Sequence, residues 1–197
     1  MKKLTILISF LIITSTFAQD MTTPLPFQQI PDYPENYNSG NIMKRFVDGL
    51  GYRYYWATEG LRTEDLEFQT TDEARTSIQT IEHLYNLSEM IANGAANLPN
   101  IRPVDRPEMS FEEMRKATLM NFKKASDNYG AQTEQDVANS SIVFQSGERK
   151  NEFPGWHMIN GPISDAIYHV GQVVTLRRAS GNPINPNVNV FMGRTGE

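Results

Sequence analysis

Three side chains in this sequence have the types and spacing to hold a cation: His83, Asp165 and His169. Asp165 and His169 stand four residues apart in a stretch that reads as helix, so they are neighbours on one face. Gln172 and Leu176 continue the same stripe. His83 belongs to an earlier helical segment and would have to come from a facing element, as ligands do between packed helices. Two imidazoles and a carboxylate leave coordination positions open for water or substrate, the arrangement of a catalytic site. The set suits Zn²⁺ first, with Ni²⁺, Fe²⁺ and Mn²⁺ open to the same donors. The same residues also fit a simpler arrangement: an i,i+4 pair of Asp165 and His169, with His83 a hydrogen-bonded core histidine.

The element that carries Asp165 and His169 reads as a helix from Pro162 to Arg178. Proline suits a first helical turn, Arg177 and Arg178 favour the carbonyl end of the dipole, and Gly181 with Pro183 stops the helix. Ile163, Ala166, Ile167, Val170, Val173 and Val174 flank the polar stripe on both sides, which predicts a helix buried nearly all round. A carboxylate in such surroundings must be paired, hydrogen-bonded or bound to metal. Gln172 could hydrogen-bond a ligand, hold a water or cap a buried backbone group. His157 would lie about 18 Å from His169 along a continuous helix, too far to share an ion. Glu82 points about 100° away from His83 and is set aside as a ligand of the same ion.

Three further helices are expected. The first runs from Asn41 to about Leu61, with Gly49 and Gly51 as a possible kink. It carries Tyr52, Tyr55, Trp56 and Glu59, the candidate lining of a pocket beside the ion. An aromatic run at helical spacing equally suits a core. Residues 62–69 read as a polar connector. The second helix opens at Thr70, on a capping-box spacing with Glu73, and ends at Gly94. A proline-containing loop leads to the third, opened by the Ser110–Glu113 box and closed between Ser126 and Gly130. Residues 131–153 give no clear pattern, although Ser141–Gln145 could be a strand or a buried loop. Whether Trp156–Asn160 is helical or a turn is open.

The expected organisation of the 197 residues is therefore all-α, a four-helix bundle over residues 41–183. An extended proline-rich arm (19–40) precedes it and an irregular tail (184–197) follows. Residues 1–18 read as a secretory signal peptide: Lys2 and Lys3, an apolar run from Leu4 to Phe17, and cleavage after Ala18. The apolar run is short for a membrane span. The expected location is periplasmic or secreted, without a stable membrane anchor after cleavage. Net charge is −5, and loss of Lys2 and Lys3 makes it more acidic. With no basic stripe, nucleic acid is excluded as a partner. Cysteine is absent, so disulfides, thiolate ligands and thiol nucleophiles are excluded as well. No nucleophile elbow, phosphate loop or dinucleotide fingerprint occurs.

The run from Asp165 to Gln172, followed by Arg177-Arg178 and Gly181-Asn182-Pro183, resembles the last helix of the DinB-like (DinB/YfiT) superfamily. That family is a four-helix bundle whose metal is held by three histidines. One comes from the second helix, and two come from the last helix at i and i+4, just before a Gly-Gln pair. His83 and His169 match two of these positions; Asp165 stands where the family has its third histidine. The resemblance implies the bundle, a divalent metal on His83, Asp165 and His169, and a tendency to form homodimers. Characterised relatives include thiol-dependent transferases and isomerases, whose thiol cofactors are cytosolic; that chemistry is not carried over to an exported chain. The expected function is a metal-dependent hydrolase or transferase acting on a small molecule. The competing expectation is a non-catalytic bundle that binds a small ligand or protein, with structural metal or none. Catalytic residues and substrate are unassigned.

Overall fold

The structure is a computed structural model and describes residues 24–196. The signal-peptide reading of residues 1–18 lies outside the described residues, as does the start of the arm.

The described chain is mostly helical, in the order α1 (Ser39–Thr58), α2 (Thr63–Leu66), α3 (Ser77–Ala95), β1 (Asn100–Ile101), α4 (Phe111–Gly130), α5 (Glu134–Ala138), β2 (Ser141–Ser146), β3 (Arg149–Pro154), α6 (Trp156–Met158), α7 (Ser164–Ala179), β4 (Val188–Asn189) and β5 (Arg194–Thr195). Four helices are long. α4 packs against α1 and α3, and α7 packs against α3 and α1. Leu50, Tyr54, Ile81, Leu84, Leu119 and Phe122 are fully buried between them.

The all-α expectation is corrected by a small sheet. β2 pairs in parallel with β1 and antiparallel with β3. Ile142, Val143 and Phe144 are β-branched or aromatic, and Gly147 turns the chain with φ 57°. The 131–153 region thus holds α5 and a hairpin. The tail is not wholly irregular either: β4 and β5 pair and dock on the arm, where the Ile30 N–H donates to the Gly193 carbonyl at 2.8 Å.

Helix boundaries follow capping chemistry. α4 opens as expected, with Glu113 N–H donating to Ser110 Oγ and Ser110 N–H to the Glu113 carboxylate. α3 does not open at Thr70. Its box is Thr76 with Gln79, and the Ser77 N–H donates to the Phe68 carbonyl; residues 70–74 form bends and turns instead. The connector after α1 contains the single turn α2, fixed by the fully buried Asp65. α1 runs unbroken through Gly49 and Gly51. Gly51 serves packing: a Cβ there would lie 2.6 Å from the Phe27 ring.

Ahead of α7, α6 is one helical turn, and Ile159–Ile163 forms a wide π-type turn with a kink at Gly161 (φ −97°, ψ −107°). Pro162 sits in this turn, where its missing N–H is tolerated. α7 is not buried all round. Ile163, Ala166, Val170, Val173 and Arg177 face the core, while Ile167, Tyr168 and Gly171 face solvent. Gly181 (φ 87°) closes the helix, with Asn182 N–H on the Arg177 carbonyl at 2.8 Å.

Arg177 does more than complement its own helix. It is 4 % exposed and donates through Nη1 to the carbonyls of Trp56, Ala57 and Glu59, each at 3.0 Å. These are the otherwise unpaired carbonyls at the end of α1. Nε donates to the Asn182 carbonyl at 2.7 Å. One guanidinium thereby joins the ends of α1 and α7, and burial pulls its pKa below the usual arginine value.

Candidate metal centre

His83 comes from α3, and Asp165 and His169 come from successive turns of α7, which packs against it. One ligand atom from each lies within 4.8 Å of the other two. The Asp165 carboxylate spans both rings: Oδ2 is 3.2 Å from His83 Nε2 and Oδ1 is 3.3 Å from His169 Nε2. The imidazole centroids are 4.5 Å apart and the rings nearly perpendicular, at 86°. Bonds of 2.0–2.1 Å at tetrahedral angles put ligand atoms roughly 3.3 Å apart. The donor types and both carboxylate–imidazole separations fit a shared divalent cation.

Hydrogen bonding defines the protons. His169 Nδ1 is 2.7 Å from Gln172 Oε1. A carbonyl oxygen only accepts, so Nδ1 carries the hydrogen and Nε2 of the neutral ring presents its lone pair. That lone pair faces a carboxylate oxygen. The 3.3 Å between Nε2 and the Asp165 oxygen leaves a place that a cation can bridge. Gln172 spends its amide oxygen on His169 and so orients that ring, as partners of metal-binding histidines do. Among the described residues His83 Nδ1 has no such partner.

The site lies at the edge of the helix packing, contrary to the expected buried carboxylate. The side chains of His169, His83 and Asp165 are 12 %, 31 % and 43 % exposed, because the kinked entry to α7 leaves its first turn open. Two grooves adjoin it. One, of about 630 Å³, runs along α7 past Tyr168, His169, Gln172 and Thr175 to Thr70 and Arg75. The other, of about 390 Å³, passes His83, Leu87 and Met90 toward Arg102, Val104 and Arg106.

Tyr52, Tyr55, Trp56 and Glu59 line neither groove. Tyr55 OH accepts from Gln28 Nε2 at 2.9 Å, and Trp56 Nε1 donates to the Gln28 carbonyl at 3.1 Å. Tyr52 OH pairs with Thr195 Oγ1 at 2.9 Å. The aromatic face of α1 thus anchors the arm and the tail. Glu59 pairs with Arg115. His157 and Glu82 are exposed. Arg102 and Arg106 were missed in the sequence: they sit in a proline-containing loop, where no periodicity assigns a face.

Comparisons with protein-family models, curated proteins and solved structures return no match for this chain.

Proposed function

We propose that this chain is an exported, DinB-like four-helix bundle that holds a divalent cation on His83, Asp165 and His169 and acts on a small molecule. The observation that carries the reading is the Asp165 carboxylate set between two imidazole Nε2 atoms, with the far nitrogen of His169 committed to Gln172. The ring of contacts in which α4 and α7 each touch both α1 and α3 supports the bundle. Zn²⁺ is the expected ion, with Ni²⁺, Fe²⁺ or Mn²⁺ as alternatives. When bound, it supplies Lewis acidity for hydrolysis or group transfer. The chain's own residues do the rest. His83 and His169 bring α3 and α7 into one site, Gln172 fixes the His169 ring, and the two grooves admit a ligand from either side.

The test is metal analysis of protein purified without an affinity tag. One equivalent of metal, lost in His83→Ala and in His169→Ala, supports the reading. Sub-stoichiometric metal that is unchanged in both variants overturns it, leaving an ion-paired bundle that binds a ligand or protein without catalysis.

A further inference from the structure

Among the described residues, six arginines are buried or half-buried: Arg45, Arg53, Arg102, Arg106, Arg115 and Arg177. Five donate from their guanidinium groups. Arg45 reaches the Pro31 carbonyl, Arg53 the Gly49 carbonyl, and Arg115 the Thr58 hydroxyl and the Tyr55 carbonyl. Arg177 holds the end of α1. Arg106 is clamped between Asn86 and Glu89 and lies over the Tyr85 ring, 5.0 Å from its centroid. Arg102 alone has no hydrogen-bond or ion-pair partner for its guanidinium among the described residues.

Arg102 is half-buried as a residue, and its guanidinium keeps every donor free for a ligand. Its five donors form a planar fork that matches carboxylate and phosphate oxygens. The site of this omission is specific. Arg102 lines the groove of about 390 Å³ that also contains His83. The groove's other walls are the apolar Leu87, Met90 and Val104 and the amide of Asn86, whose oxygen accepts from Arg106; Glu89 is likewise taken up by Arg106. Its size falls in the range of small-molecule sites, which combine apolar lining with a few polar anchors.

We propose that this groove binds a small organic oxyanion, a carboxylate or phosphate-type group on a short apolar body, with the Arg102 guanidinium as its anchor. The apolar body lies on Leu87, Met90 and Val104. Arg106, already neutralised by Glu89, shapes the wall and leaves Arg102 to carry the charge recognition. His83 lies in the same groove, so a cation held by His83, Asp165 and His169 strengthens anion binding. By linkage the anion strengthens metal binding by the same factor. Only this coupling rests on the metal-site reading; the anion site itself stands on Arg102 and the groove.

Calorimetric titration with phenylphosphonate and with benzoate tests it, on metal-free and on zinc-loaded full-length protein, with benzamide as the neutral analogue. Phenylphosphonate or benzoate binds the wild type more tightly than benzamide does. Arg102→Ala weakens that binding about tenfold to a hundredfold, while Arg149→Ala, at an exposed position of the β2–β3 hairpin, leaves it unchanged. Which probe binds more tightly distinguishes a phosphate-type ligand from a carboxylate. Metal content measured on the same samples reports separately on the ion site, and circular dichroism confirms that each variant is folded. Equal binding by folded Arg102→Ala, or no binding of either anion to both wild-type forms at about 1 mM, overturns the proposal.

Discussion

Gln172 Oε1 accepts from His169 Nδ1 at 2.7 Å, one helical turn along α7. This bond decides which nitrogen of His169 is free to face Asp165. Replacing Gln172 by Leu removes the acceptor and keeps the bulk, so the ring can turn and protonate at the wrong nitrogen. Metal affinity is expected to fall about 10- to 100-fold, with the fold intact. Competition against a chromophoric chelator measures the loss, and Gln172→Glu, which still accepts the hydrogen, should retain tight binding.

Arg177 joins the end of α1 to the end of α7. Arg177→Met keeps most of the packing and orphans carbonyls that the guanidinium satisfied. The expected loss is about 3 kcal/mol, and a melting temperature lowered by roughly 6–12 °C. Arg177→Lys should not restore it, because one ammonium cannot reach both the carbonyls of α1 and Asn182. Thermal denaturation followed by far-ultraviolet circular dichroism reads both.

The same clasp predicts an acid limb. Arg62 donates to both oxygens of Asp65, and Ser180 and Asn182 add bonds at 2.6 Å. Together they hold the Asp65 carboxyl well below the usual carboxylate range, Arg62 most strongly. A depressed pKa in the folded state means that the unfolded chain takes up the proton first. The stabilisation is therefore complete above about pH 4, the value of a free aspartate, and drains away as pH falls through the lower folded value. Asp65→Asn should be less stable at neutral pH, and its stability should fall less steeply below pH ~4. Urea denaturation at a series of pH values gives both slopes.

Elements with strong local signals were legible in the sequence. The Ser110–Glu113 box, the Gly181 stop and the turn-by-turn placement of Asp165, His169 and Gln172 all follow from spacing within one helix. Local spacing misplaced the start of α3. Thr70–Glu73 has the spacing of a capping box, but the helix opens on Thr76–Gln79, beside the bond from Ser77 N–H to the Phe68 carbonyl. It also failed for charges whose partners are distant. Arg177 looked like a dipole complement and Asp65 like part of a polar connector, yet each is buried by contacts more than a hundred residues away in the chain. The exposure of Asp165 was misjudged because the flanking valines and isoleucines suggested burial on both sides, whereas only one side of α7 meets α3 and α1.

Gly51 makes a prediction about the arm. A methyl group there would stand 2.6 Å from the Phe27 ring, inside van der Waals contact. Gly51→Ala favours the helix by propensity, by about 1 kcal/mol, but must push Phe27 off α1. Gln28, which is bonded to Tyr55 and Trp56, would move with it. Limited proteolysis should cut the arm of Gly51→Ala faster than that of the wild type, while the helical core resists in both. Equal cutting rates would mean that the arm is held by its other contacts alone.

Metal binding should appear as stability, because the ligands come together only in the folded chain. His83 lies 82 residues from Asp165, and an unfolded chain cannot hold that geometry. At a free Zn²⁺ concentration about 100 times the dissociation constant, the gain is about 2.7 kcal/mol, or roughly 5–11 °C in melting temperature. A chelator should reverse it. Asp165→Asn keeps the shape and removes the charge that offsets the cation, so its thermal gain should shrink in the same titration. His157→Ala, at an exposed position outside the cluster, should melt and respond to Zn²⁺ as the wild type does. If Zn²⁺ raises the melting temperature of His83→Ala and the wild type equally, the ion is binding elsewhere, and the cluster of His83, Asp165 and His169 is not its site.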